Sequence, residues 1–134
     1  MLKRHVLAVN SGRAQAFIDI TDGVNALISK AKMQQGLCHL FVPHTTAGIT
    51  VNENCDPDVA RDILATLDQL VPIHGNYRHA EGNSHAHLKA SLMGHALSVP
   101  IEGGKLLLGT WQGLYFTEFD GPRARKVILT LSEG

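Results

Sequence analysis

Along the first twenty positions, apolar and polar residues alternate with a period of two. Leu7 and Val9 fall on one side of Leu2–Asn10. In Arg13–Thr21, Ala14, Ala16, Ile18 and Ile20 fall on one side, with Gln15 and Asp19 opposite. That period belongs to half-buried strands. Ser11-Gly12 between them is a turn dipeptide, so the pattern predicts two antiparallel neighbours. At Thr21-Asp22, a candidate N-cap, the period lengthens to that of a helix. Val24, Leu27, Ile28 and Ala31 then share one face, and Gly36 marks the predicted end.

The run Leu37–Val42 is almost continuously apolar, as expected of a central strand covered on both faces. Pro43 and a His44 loop close it, and Gly48–Asn52 reads as a short strand. Asp56 followed by Pro57 is a helix start, with an N-cap carboxylate and a proline whose missing N–H costs nothing at the first helical position. The stripe of that helix is Ala60, Ile63, Leu64, Leu67 and Val71, and Pro72 ends it. After a polar loop, His87–Met93 fits two helical turns ended by Gly94. Strand patterns follow at Leu97–Ile101, Lys105–Leu108, Leu114–Phe119 and Lys126–Leu131, separated by glycine-containing turns. Short strands punctuated in this way indicate antiparallel sheet rather than βαβ repeats. The predicted class is α+β, a compact single domain over residues 1–134 with three short helices.

Composition narrows the functional classes. Hydrophobic residues make up 44% of the 134 and charged ones 18%, a globular balance that excludes disorder. The formal net charge of +0 leaves no basic field to hold nucleic acid or an anionic membrane, so neither partner is expected. The start, MLKRHVLAVN, is too short and too charged for a signal peptide, and no apolar run reaches the roughly 20 residues a membrane helix needs. Cys38 and Cys55 form neither a disulfide framework nor a zinc knuckle, which points to a reduced, cytoplasmic protein.

The candidate chemistry centres on Asn76–Ala96, which holds four of the eight histidines. Converging neutral imidazoles suit zinc or another divalent transition ion; ordinary loop histidines are the plainer reading of the same residues. On a helix, positions two apart face nearly opposite ways, so His85 and His87 need not share a target. His44, at a strand end beside two threonines, is a further candidate. Glu53 is a candidate general base or an orienting carboxylate, and Asn52 a candidate substrate or loop contact. Asp56 is explained as a cap. Trp111 offers a flat wall and Gln112 a two-pronged amide, against a core tryptophan beside a bulge. Glu118 shares its strand parity with Leu114 and Phe116, which aims a carboxylate at an apolar face; there it needs a partner or a raised pKa. Arg123 and Arg125 near a turn are a candidate phosphate clamp or solvated turn charges.

Taken together, several segments resemble one family across nearly the whole chain. They are His44-Thr45-Thr46-Ala47, Asn52-Glu53-Asn54 with Asp56-Pro57-Asp58, Tyr77-Arg78-His79, His87-Leu88-Lys89, Gly109-Thr110-Trp111-Gln112 and Asp120-Gly121-Pro122-Arg123. The chain is similar to the YjbQ-like family, described as secondary thiamine-phosphate synthases. The resemblance implies an α+β subunit assembled as a homotrimer, with a divalent metal, zinc or magnesium, at histidines matching His44, His79 and His87. It implies a transferase that condenses a hydroxymethylpyrimidine diphosphate with a thiazole phosphate and releases pyrophosphate. On that expectation Glu53, Glu118 and Asn52 serve catalysis, and Trp111, Gln112, Arg123 and Arg125 hold a small phosphorylated substrate. Two alternatives stand beside it: a metal-dependent hydrolase, and a non-catalytic trimer binding metal or anion.

Overall fold

A computed structural model describes residues 2–134. In chain order the elements are β1 (Leu2–Asn10), β2 (Ala16–Asp19), α1 (Thr21–Lys30), β3 (Gln35–Phe41), β4 (Ala47–Glu53), α2 (Pro57–Leu70), α3 (Ser84–Met93), β5 (Ala96–Glu102), β6 (Lys105–Leu106), β7 (Gln112–Glu118) and β8 (Ala124–Glu133). A five-stranded sheet runs β1-β8-β3-β5-β6 and a three-stranded sheet runs β2-β7-β4; every pairing is antiparallel. This is the expected α+β class with three helices. No helix among the described residues is long and apolar enough to cross a membrane.

The inner face of the large sheet supplies Val127, Leu129, Leu131, Cys38, Leu40 and Val99 to the main core. The small sheet meets them with Ile49, Leu114 and Phe116, and α1 fills the same layer with Val24 and Ile28. A second cluster lies beyond the small sheet, where Leu67 of α2 and Ala86 and Ala90 of α3 pack with Phe119 and Phe17. The small sheet is therefore sandwiched. Its central strand β7 is buried from Gly113 to Glu118, and this is the strand covered on both faces. The sequence pattern assigned that place to Leu37–Val42. In β3, however, Cys38 and Leu40 face the core while Leu37 and Phe41 stand 42% and 49% exposed.

Three further expectations are corrected. β1 and β2 are not a hairpin: β1 pairs with β8, and β2 joins the other sheet by pairing with β7. Alternation identifies a strand without naming its partner, and Ser11 turns the chain by bonding the Arg123 carbonyl instead. At α1, the Asp19 carboxylate rather than Asp22 accepts from the Thr21 N–H, at 2.9 Å. The helix ends at Lys30, well before Gly36, which lies in β3. α3 begins three residues before His87, at Ser84, because polar Ser84, His85 and Lys89 are buried on its inner side. A hydrophobic pattern counts such residues as solvent-facing.

One close approach positions the site. The C-terminal end of α3 lies on β4 at Gly48, where an added Cβ would stand 2.7 Å from the Gly94 carbonyl oxygen and 2.9 Å from Met93 Cβ. Glycine there lets the Ile49 N–H reach the same carbonyl at 3.1 Å.

Candidate functional site

The end of the small sheet where β4 begins and β7 finishes carries most of the polar machinery. Glu118, fully buried at the end of β7, meets Arg125 from the start of β8. Arg125 Nε donates to Glu118 Oε1 at 2.8 Å, and an η-nitrogen donates to Oε2 and also to Thr46 Oγ1 at 2.8 Å. Burial alone would raise the Glu118 pKa, but the bonds from Arg125, from Ser11 and from the Asp120 N–H outweigh it and hold the carboxyl below its ordinary value. Glu118 thus has the partner its strand position demanded. An ionised, fully bonded carboxylate holds Arg125 and the Thr46 loop in place; it is poorly placed to take up a proton.

Asp120 sits just beyond β7. Its carboxylate accepts from Asn83 Nδ2 at 2.9 Å and from Arg123 at 3.0 Å. Arg123 Nε also donates to the Asp120 carbonyl at 2.7 Å. Neither arginine is a free cation, since each already has a carboxylate partner. The Asn83 Oδ1 is buried without a partner among the described residues. Around these groups opens a cavity of about 350 Å³ lined by His44, Thr45, Glu81, Asn83, His87 and Arg123, among others. A second cavity, about 360 Å³ and more apolar, lies against Tyr77, Arg78, His79, Ser84, His87 and Leu88. His87 is common to both.

The three histidines expected to hold a metal occupy this end, but in different states. The His79 and His87 rings pack edge to face, with centroids 5.3 Å apart. Ser84 Oγ donates to the His79 carbonyl at 3.3 Å and receives His79 Nδ1–H at 2.9 Å. The proton therefore sits on Nδ1, and Nε2 keeps its lone pair, 3.8 Å from Glu81 Oε1. His44 differs: its Nε2 accepts the Lys126 N–H at 3.0 Å, which places the ring proton on Nδ1 and occupies its lone pair. Burial and then the Arg125 charge push the His44 pKa down, so the ring is neutral. Among the described residues no three His, Cys, Asp or Glu side chains come together as a metal cluster. One subunit therefore assembles two of the three expected donors.

His85 points elsewhere, as its helical offset from His87 requires. Its Nδ1 accepts from Lys89 Nζ at 2.9 Å. Lys89, with no exposed surface, also donates to Asp68 at 2.5 Å and to Gln15 at 3.0 Å, tying α3 to α2 and to the β2 approach. Asn83 and Ser84 stand among the loop histidines and Lys89 in the His87-Leu88-Lys89 segment, but sequence reasoning gave none of them a role and read Asp68 as turned outward; only the spacing of His85 and Lys89, one helical turn apart, signalled any part of this network.

The other expected site residues lie far away. Glu53 pairs with Gln112 at the opposite end of β4 and β7 from the Ala47–Glu118 pair. At roughly 3.3 Å per residue, six residues along β4 is about 20 Å. There the Asn52 Oδ1 accepts the Glu53 N–H, Gln112 Oε1 accepts the Gly109 N–H, and Trp111 is 61% exposed. Trp111 is accordingly not a core tryptophan. Within one subunit Asn52, Glu53, Trp111 and Gln112 do not meet the histidines.

Comparison with known proteins places the whole chain. Residues 5–134 match the family described as UPF0047 protein YjbQ-like. A UPF0047 protein of Methanocaldococcus jannaschii is 48% identical over 118 residues, covering 88% of this chain and 86% of that protein. The UPF0047 protein YugU of Bacillus subtilis is 48% identical over 126 residues, covering 93% and 94%. Among solved structures, a YjbQ/UPF0047 family protein of Clostridium acetobutylicum described as uncharacterized superposes with a TM-score of 0.92 at 54% identity, covering 96% of this chain and 99% of that one. A protein of unknown function from Sulfolobus solfataricus gives 0.93 at 31% identity, covering 100% and 99%. These relatives carry family names or are described as of unknown function, and none indicates thiamine-phosphate synthesis. That expected activity is corrected accordingly: the resemblance established kinship without a reaction. The chain belongs to the YjbQ-like UPF0047 family.

Proposed function

We propose that this chain is a metal-binding subunit of a homotrimer, in which His79 and His87 take a divalent transition ion beside a cavity that receives a small anionic ligand. The observation that carries the reading is the His79–His87 pair, with Ser84 on His79 Nδ1 and the Nε2 lone pair left open. A ring nitrogen anchored in this way fixes the tautomer and orients the other nitrogen as a ligand. Imidazole donors favour zinc over magnesium, which prefers oxygen.

Charge supports an anion here only once a cation is bound. On the cavity wall Glu81 and Asp120 balance Arg123 and Arg125, two carboxylates against two guanidinium groups. The lining is formally neutral by itself and draws no phosphate; a bound divalent ion would make it positive. The exposed outer face of the large sheet, with Leu2, Val6, Leu37 and Phe41 on one surface, supports association. The unpaired Cys38 and Cys55 fit a reducing, cytoplasmic setting.

The test is zinc titration by calorimetry with elemental analysis, alongside mass measurement in solution. The expected result is about one zinc per subunit in a particle of three chains, with binding lost in His79→Ala and His87→Ala and the assembly kept. Wild-type protein that takes up no zinc overturns the reading.

A further inference from the structure

The large sheet gives one face to the core and leaves the other open, and strand register sets the open face out in rows. The middle row is Arg4, Thr130, His39 and Ser98, contributed by β1, β8, β3 and β5. Val6 and Phe41 share the row on one side of it, 59% and 49% exposed. Leu2 and Leu37 share the row on the other, 67% and 42% exposed. Four strands about 4.8 Å apart, over five residues of roughly 3.3 Å each, make a surface on the order of 300 Å². Apolar surface gathered on one face at that scale marks a place of interaction.

The free charges suit a second copy of this chain. Arg4 lies on the β1 margin, and Glu102 lies toward the opposite margin at the end of β5. Neither has an ion-pair partner among the described residues. A neighbour that brings its β5 end to this β1 margin sets Glu102 against Arg4 and covers both apolar rows. Such a head-to-tail contact repeats around a ring.

His39 stands in the middle of the surface so covered. Its Nδ1 and Ser98 Oγ are hydrogen-bonded at 2.5 Å. A neutral ring held this way is cheap to cover, because one nitrogen has a partner and the rest is largely apolar. A protonated ring is not. Its cross-strand neighbours Ser98 and Thr130 are uncharged. The charged side chains on the same face are Arg4 of β1, Lys126 of β8, Lys105 of β6 and Glu102 of β5, three cations to one carboxylate. Covering the face takes the imidazolium out of water with a surplus of like charge around it.

We propose that His39 makes assembly of this chain acid-labile: copies join through the open face of the large sheet while the ring is neutral and part when it takes a proton. This rests on the homotrimer proposed above. The proton goes to the separate chain and not to the covered face, so assembly is complete above the range in which imidazole titrates and is lost as pH falls through it. With one proton shed per subunit, the association constant for three chains falls by up to about 1,000-fold per pH unit.

The test is sedimentation of the full chain over a concentration series at about pH 8 and about pH 5.5, on either side of the imidazole range. The expected result is a particle of three chains at the higher pH and single chains at the lower, with the far-ultraviolet dichroism unchanged. His39→Gln keeps a neutral hydrogen-bonding group opposite Ser98 and is expected to stay assembled at both. A wild-type particle that keeps its mass at the lower pH, or a His39→Gln particle that comes apart as wild type does, overturns the role of His39 and leaves the homotrimer standing. Wild-type single chains at the higher pH overturn the homotrimer, and acid-labile assembly with it. Phe41→Asp, a change at an exposed strand position, is expected to give folded single chains at the higher pH. If that variant assembles as wild type does, the copies meet elsewhere and the docking face is overturned.

Discussion

Two ion pairs hold the functional end together, and they are built differently. In Arg125–Glu118 both partners are enclosed, at 5% and 0% side-chain exposure. In Lys89–Asp68 the cation is fully enclosed while the carboxylate is 38% exposed. The chemistry of attraction is alike, but the consequence of losing a partner is not. An enclosed charge left alone has no water to turn to, whereas an exposed one rehydrates. Each pair also positions something different. Arg125 holds the Thr46 loop that follows His44, and Lys89 holds the helix that presents Ser84 and His87.

The largest expected effect comes from stranding Glu118. Arg125→Met leaves a buried carboxylate without its guanidinium and should lower stability by about 3–5 kcal/mol, read by urea unfolding. A loss below about 1 kcal/mol would show that water reaches Glu118 and would erase the contrast between the pairs. Next in size is an asymmetry inside the second pair. Asp68→Asn leaves the Lys89 ammonium enclosed with only neutral partners, Gln15, His85 and the new amide. Lys89→Met leaves Asp68 free to rehydrate. The prediction is that removing the half-exposed aspartate costs more than removing the buried lysine, which should cost about 1–3 kcal/mol. The reverse order would mean that the Lys89 stem contributes mainly by packing.

The smallest effect separates the pairs by pH. Glu118 is held below its ordinary 4.5 and Asp68 below its ordinary 3.8, each because bonding to its cation outweighs burial. A depressed folded-state pKa means that the unfolded chain takes up the proton first on acidification. The stabilisation is therefore present above the ordinary values and is lost as pH falls through the lowered ones. Stability should stay level down to about pH 4.5 on account of Glu118 and decline below it. The Asp68 contribution fades from its lower starting point. In Asp68→Asn the Asp68 part of that decline should vanish while the Glu118 part persists; an unchanged profile would remove Asp68 from the acid response.

Much of the local structure was readable from the chain. The period of two in β1 and β5, and the Asp56-Pro57 start of α2 with its stripe through Leu67, depend on neighbours within a few residues, and those neighbours are printed in the sequence. The parity of Glu118 with Leu114 and Phe116 correctly aimed its carboxylate inward, and the helical offset correctly separated His85 from His87. The resemblance of the long motifs identified the family.

What only tertiary structure decided involves residues distant in sequence. Alternation has no term for a partner, so β1 and β2 read as a hairpin although each belongs to a different sheet. Burial of a polar side chain depends on what folding brings to it. Lys89 is enclosed because Asp68 and Gln15, from two other segments, satisfy its ammonium. The lone pair of His44 is occupied because β8 delivers the Lys126 N–H from 82 residues away. For the same reason sequence reasoning set Glu53 and Trp111 beside the histidines, whereas within one subunit Glu53, at the far end of β4, and Trp111, just before β7, stand some 20 Å off. Short-range patterns set which elements form; topology sets which side chains meet, and the chemistry of this end depends on those meetings.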